Sequence, residues 1–86
     1  MKWDVKLASK SIEIELKEET LSTVSLNLKI SSDNGDYETF SEKEVTLSKK
    51  DDIIYFESNP ILHMDGSVLG EPRDFLKLTK EDEDGN

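Results

Sequence analysis

His63 carries the side chain best suited to proton transfer near neutral pH, and it is the only histidine in the chain. The chain has no cysteine, which excludes thiolate nucleophiles, disulfides and cysteine–zinc sites together. A serine–histidine–acid arrangement would also need a serine on a strand–turn–helix elbow, and no serine has that sequence context. We therefore predict a structural or surface role for His63 and no catalytic site.

Two pairs of glutamates occupy alternate positions, Glu13 with Glu15 and Glu42 with Glu44. On a β-strand, alternate side chains share a face and lie about 6.6–6.8 Å apart. A pair of the glycosidase kind would need one carboxyl group whose pKa is raised by apolar burial. These glutamates take the polar positions of their strands, where water keeps them ionised. We predict that they form an exposed acidic face and do not act as catalytic acids.

Oxygen ligands for a metal ion are concentrated at residues 33–36, Asp-Asn-Gly-Asp, with Glu38 close by. Carboxylates on a turn suit calcium, but the glycine comes too early for an EF-hand loop and no bidentate glutamate follows at the required spacing. Residues 66–70 contain two glycines without the lysine and helix that a phosphate-binding loop needs. We predict no metal and no cofactor.

The net charge limits which kinds of partner the chain can bind. The 86 residues include 20 acidic and 11 basic side chains, a formal charge of −9. Phosphate backbones and anionic membranes repel such a chain, so we expect neither direct nucleic-acid binding nor membrane binding. A protein with a basic surface is the natural electrostatic partner. No segment approaches the roughly 20 apolar residues of a membrane helix. With the absence of cysteine, this favours the cytoplasm, or the host-cell cytoplasm if the protein is viral.

We predict that these side chains lie on β-strands, because apolar residues recur at every second position. The alternation is clear over residues 2–7, 12–17 and 24–31, and a helix would need spacings of three and four instead. Trp3 takes a core position at the head of the first run, so we expect its ring to pack in the core and not to stack on a ligand.

A hairpin is predicted between residues 22–31 and 36–47, because Asn34-Gly35 suits a tight turn. Tyr37 and Phe40 fall on opposite parities, so we expect a bulge near Thr39–Ser41.

The second half of the chain is less regular. Residues 53–56 are apolar throughout and predict a central strand buried on both faces. Residues 58–73 contain both prolines and predict one long irregular loop, within which Asp65-Gly66 also fits a short hairpin. A last strand is expected over 74–80, with Leu76 and Leu78 inward, followed by a disordered acidic tail at 81–86.

These elements predict one all-β domain over residues 1–80, a small antiparallel sandwich or barrel of five to seven short strands. Its expected function is that of a non-enzymatic protein-binding module acting through a loop or a sheet face. One alternative is an acidic inhibitor, for example one encoded by a virus, that occupies a nucleic-acid-binding surface of its target. Another is a structural subunit of a larger assembly. The loop residues expected to contact a partner are Ile61, Leu62, Met64, Val68, Leu69 and Arg73.

Overall fold

The computed structural model describes residues 1–7, 10–34 and 37–79. Six antiparallel strands form one curled, half-barrel sheet in which the spatial order follows the chain order. This confirms the predicted small antiparallel β fold. In the part of the chain that the structure describes, one short helix follows the last strand. The elements are β1 (Lys2–Leu7), β2 (Lys10–Glu19), β3 (Thr23–Asn34), β4 (Tyr37–Lys50), β5 (Ile53–Phe56), β6 (Asn59–His63) and α1 (Pro72–Leu78).

The alternating pattern gives the sheet two different faces. Apolar side chains of β1, β2 and β3 stand opposite one another across the strands, as Trp3 does with Ile14 and Ile14 with Leu28. They line the concave face, and α1 packs against that face. Trp3 is buried there, as predicted. The buried apolar residues are Trp3, Val5, Ile12, Ile14, Val24, Leu26, Leu28, Ile30, Leu47, Ile54, Ile61, Leu62, Phe75 and Leu78.

The predicted hairpin is confirmed, since β3 and β4 pair in antiparallel fashion from Thr23 opposite Ser48 to Asn34 opposite Tyr37. The bulge expected near Thr39–Ser41 is wrong, because the pairing continues through these residues without a shift. The turn residues 35 and 36 lie outside the described residues. The sheet does contain a register shift elsewhere, in β2 between Leu16 and Glu18.

Residues 53–56 form β5, which lies between β4 and β6. The prediction of a strand buried on both faces is wrong in part. Ile54 is fully buried, whereas its neighbours in β5 are only half-buried. The reason is that Ile54 belongs to the core on the concave face together with Phe75 of α1, whereas its two neighbours alternate to the opposite face of the strand.

The long irregular loop predicted for 58–73 is too broad, because β6 occupies its first part. The short hairpin at Asp65-Gly66 is confirmed. The backbone N–H of His63 donates to the carbonyl of Ser67 at 2.8 Å, and Leu62 forms an antiparallel bridge with Val68.

The strand expected over 74–80 is wrong, since Pro72–Leu78 is helical. Proline at the first turn suits a helix start, and the backbone N–H of Glu71 donates to the Asp74 carboxylate at 3.3 Å. Phe75 and Leu78, three residues apart, are buried on one side of the helix, and Leu76 is 42% exposed. Residues 80–86, including the expected tail, lie outside the described residues. No helix in the described part of the chain is long and apolar enough to cross a membrane.

Candidate functional site

The register of β2, β3 and β4 places both predicted glutamate pairs on the convex face of the sheet. Lys29 of β3 stands between Glu13 and Glu42 in one cross-strand row. In the next row, Asn27 stands between Glu15 and Glu44. Ideal sheet spacings put each pair about 6.8 Å apart along its strand and the two pairs about 9.6 Å apart across β3. We call Glu13, Glu15, Glu42 and Glu44 the acidic face.

Neighbouring polar side chains form hydrogen bonds or an ion pair with three of these carboxylates. Ser25 donates to Glu44 at 3.1 Å, and the Asn27 amide donates to Glu42 at 3.2 Å. Lys2 forms an ion pair with Glu13 at 3.3 Å. Exposed pairs of this kind contribute about 1 kcal/mol or less to folding. The acidic face therefore offers partly oriented acceptors that suit binding of basic groups, with Glu42 and Glu44 exposed and Glu13 and Glu15 half-buried.

Phe40 lies on the same convex face, two residues before Glu42 on β4. It stands opposite Ser31, and its side chain is 74% exposed. It borders a shallow hollow of about 220 Å³ next to the acidic face. The hollow is lined by Asp4, Ser11, Glu13, Lys29, Ile30, Ser31 and Phe40.

Sequence reasoning missed Phe40, although the signal was present. Phe40 has the parity of Glu42 and Glu44, which already predicts the polar face. The opposite parity of Tyr37 and Phe40 predicts a bulge instead, and the strand pairing shows none there.

The six loop residues predicted to bind a partner have different environments. Ile61 and Leu62 of β6 are fully buried in the core, and Met64 packs against the core while half-buried. Val68 and Leu69 are exposed. Arg73 is exposed and pairs with Glu71 at 3.0 Å. The surface therefore includes Val68, Leu69 and Arg73, whereas Ile61 and Leu62 lie in the core.

His63 borders a second open hollow, of about 360 Å³, with Met1, Asp52, Met64 and Asp65. The carboxylates of Asp52 and Asp65 are exposed. Hydrogen bonds from Ser67, whose backbone N–H donates to Asp65 at 2.9 Å, hold the pKa of Asp65 below its usual value, and nearby His63 adds to this effect. The arrangement lacks the apolar burial that would raise the pKa of a general acid. Among the side chains that the structure describes, which exclude those of residues 33–39, no three histidine or acidic residues are grouped as metal ligands.

The fold and these surfaces define a class of small antiparallel β domain, a half-barrel with a helix against its concave face and a polar, acidic convex face. Comparison with known proteins gives no match: no family model, no curated sequence and no solved structure is significantly similar to this chain.

Proposed function

We propose that this protein is a non-enzymatic protein-binding module whose convex face binds a basic surface of a partner protein. The exposure of Phe40 carries the proposal. An aromatic side chain that is 74% exposed contributes little to the core, and aromatic residues are enriched in the centres of protein interfaces. Polar and charged side chains around it, including Asp4 and Glu13, resemble the rim of such an interface.

The acidic face supports a basic partner. Glu13 shares the hollow of Phe40, Glu42 is two residues along β4, and the whole chain carries a net charge of −9. Complementary charge accelerates association and selects among partners, and its effect falls as salt is added. Lys29 lies within the acidic face and limits its net charge, so we expect the apolar contact at Phe40 to supply much of the affinity.

The proposal assigns no proton transfer to His63. The carboxylates that share its hollow, Asp52 and Asp65, are exposed, and the hydrogen bonds to Asp65 stabilise its ionised form.

Variants on the convex face test the proposal by affinity capture with the intact chain. Phe40→Ser, and separately Glu42→Lys combined with Glu44→Lys, should weaken binding of the captured protein. Truncation of an aromatic hot spot costs about 2 kcal/mol or more, which is about a 30-fold loss of affinity. Leu21→Ser is the matched control, because Leu21 is 95% exposed at the turn between β2 and β3. It should leave binding unchanged.

Thermal unfolding serves as the folding control, since a cooperative transition shows that a variant is folded. The proposal is wrong if a partner binds the Phe40→Ser and charge-reversed proteins as tightly as the original. Loss of binding only on replacement of Val68 and Leu69 would move the binding surface to the loop.

A second candidate is an acidic inhibitor that covers a nucleic-acid-binding surface. The regular spacing of the glutamates on β2 and β4 favours it, because carboxylates at alternate strand positions can imitate a row of phosphates. Lys29 of β3 lies between the glutamates of β2 and those of β4 and places a positive charge beside both rows, which weakens the imitation. Duplex DNA or RNA added in excess should displace the captured partner under this alternative. Under the general proposal it should have no effect.

A further inference from the structure

β4 extends far beyond its neighbour β5. The strand contains 14 residues, but only Ser48, Lys49 and Lys50 pair with β5. β5 ends at Phe56, and the chain then reverses through two residues with positive φ, 51° at Glu57 and 72° at Ser58. From residue 47 back to residue 37, β4 therefore has β3 on one side and no strand of the described chain on the other.

The register identifies the backbone groups that point to the open side. The N–H of Lys49 donates to the carbonyl of Ser22 at 2.8 Å, so the odd-numbered residues of β4 exchange hydrogen bonds with β3. The even-numbered residues direct N–H and C=O away from β3. We call Phe40, Glu42, Glu44 and Thr46 the β4 edge. No backbone hydrogen bond from the described turns and loops reaches these four residues.

The β4 edge lacks several of the features that protect exposed strands, although Lys43, on the concave side of the same segment, is a charged residue of the protective kind. Residues 40–46 contain neither a proline nor a bulge, and the segment is seven residues long. By comparison, β1 at the end of the sheet has six residues and carries Lys2 and Lys6 on its convex side. The charges on the β4 edge are Glu42 and Glu44. If the β4 edges of two copies paired, these glutamates would come close to their counterparts, which is unfavourable.

We propose that the β4 edge binds an extended basic segment of the partner protein as an added antiparallel strand. The proposal rests on the proposed protein-binding function and names how the partner is recognised. Directly paired residues of neighbouring strands share a face. Lysine or arginine at alternate positions would therefore lie on the convex face beside Glu42 and Glu44, with Phe40 available for a cation–π contact. The intervening residues would lie on the concave side beside Ser41, Lys43 and half-buried Val45, so an apolar side chain is favoured only next to Val45.

Hydrogen exchange of the free protein, followed by NMR, tests whether the edge is open. The amides of Glu42, Glu44 and Thr46 should exchange quickly, and those of Ser41, Lys43 and Val45, which donate to β3, should exchange slowly. Sedimentation should show a monomer. Equal protection of the two sets, or a dimer in which the β4 edge is protected, would overturn the proposal.

Binding is tested with a capped seven-residue peptide of alternating lysine and valine. It should slow the exchange of the Glu42 and Glu44 amides. Methylation of two lysine backbone nitrogens, which face β4, should weaken binding about tenfold or more, and methylation of two valine nitrogens should have little effect. Equal affinity for the two methylated peptides would show attraction by charge alone and overturn strand addition.

Thr46→Pro removes one edge donor without changing charge, at a site where an edge strand tolerates proline. It should weaken peptide binding, with Thr46→Ala as its matched control. The methylated peptides keep the test decisive if Thr46→Pro does not fold. If no peptide binds while Phe40→Ser still abolishes capture of the partner, strand addition is wrong and the proposed function stands. If Phe40→Ser also has no effect, both are wrong.

Discussion

Phe75 and Leu76 are adjacent in α1 and have opposite environments. Phe75 is 1% exposed beneath the sheet, whereas Leu76 is 42% exposed. If residues 74–80 formed a strand instead, Leu76 and Leu78 would share the buried face and Phe75 would point to water. Replacing each residue by alanine therefore distinguishes the helix from the strand.

The expected cost of Phe75→Ala follows from its burial. Removing a fully buried phenylalanine side chain costs about 3–5 kcal/mol of unfolding free energy. At roughly 0.05–0.15 kcal/mol per residue, an 86-residue domain has about 4–13 kcal/mol in total. At about 4 °C or more per kcal/mol, the melting temperature should fall by at least about 12 °C. Leu76→Ala should cost about 1 kcal/mol or less, because the side chain is partly in water and alanine favours the helix.

Urea unfolding, followed by the fluorescence of the single tryptophan, measures these differences. Leu78→Ala should resemble Phe75→Ala, with a cost of about 2–5 kcal/mol, because both residues lie on the buried side of α1. Phe75→Leu provides a milder change if the alanine variant does not fold. A large effect of Leu76→Ala together with a small effect of Phe75→Ala would refute the helix and its packing.

Two further predictions concern the turn after β6. Gly66→Ala should destabilise the protein by about 1–3 kcal/mol in thermal unfolding, because Gly66 has φ of 98° and an added Cβ would come within 2.3 Å of the Trp3 ring; an unchanged melting temperature would contradict this close approach. Asp65→Asn should reduce stability at pH 6 more than at pH 2. The hydrogen bonds from Ser67 hold the folded-state pKa of Asp65 below its ordinary value of 3.8, so its contribution is present above that pH and is lost as pH falls through the folded-state pKa. A loss of stability equal at both pH values would show that the charge of Asp65 is not involved.

The strands could be predicted from sequence because their signal is local. Alternation over residues 2–7, 12–17 and 24–31 separates apolar from polar side chains whatever the partner strands are. The same alternation predicts that Glu13 and Glu15 share one face of their strand, and that Glu42 and Glu44 do so too. It could not predict that both pairs lie on the same surface on either side of Lys29, because this depends on the register of three strands.

The C-terminal segment shows where local patterns are ambiguous. Leu76 and Leu78 fit a strand, whereas Phe75 and Leu78 fit a helix, and a segment this short satisfies both spacings. The helix is the form observed because it buries both Phe75 and Leu78 in the core on the concave face of the sheet.

Residue types at fixed spacings are enough to predict the strands and the polarity of each strand face, and composition alone gives the excess of negative charge. Three features follow instead from the three-dimensional fold: the exposure of Phe40, the burial of Ile61 and Leu62 in the core, and the open β4 edge. These features depend on which strands pair and where the pairing ends. The reversal at Glu57 and Ser58 turns the chain away from β4, and no pattern within β4 records this.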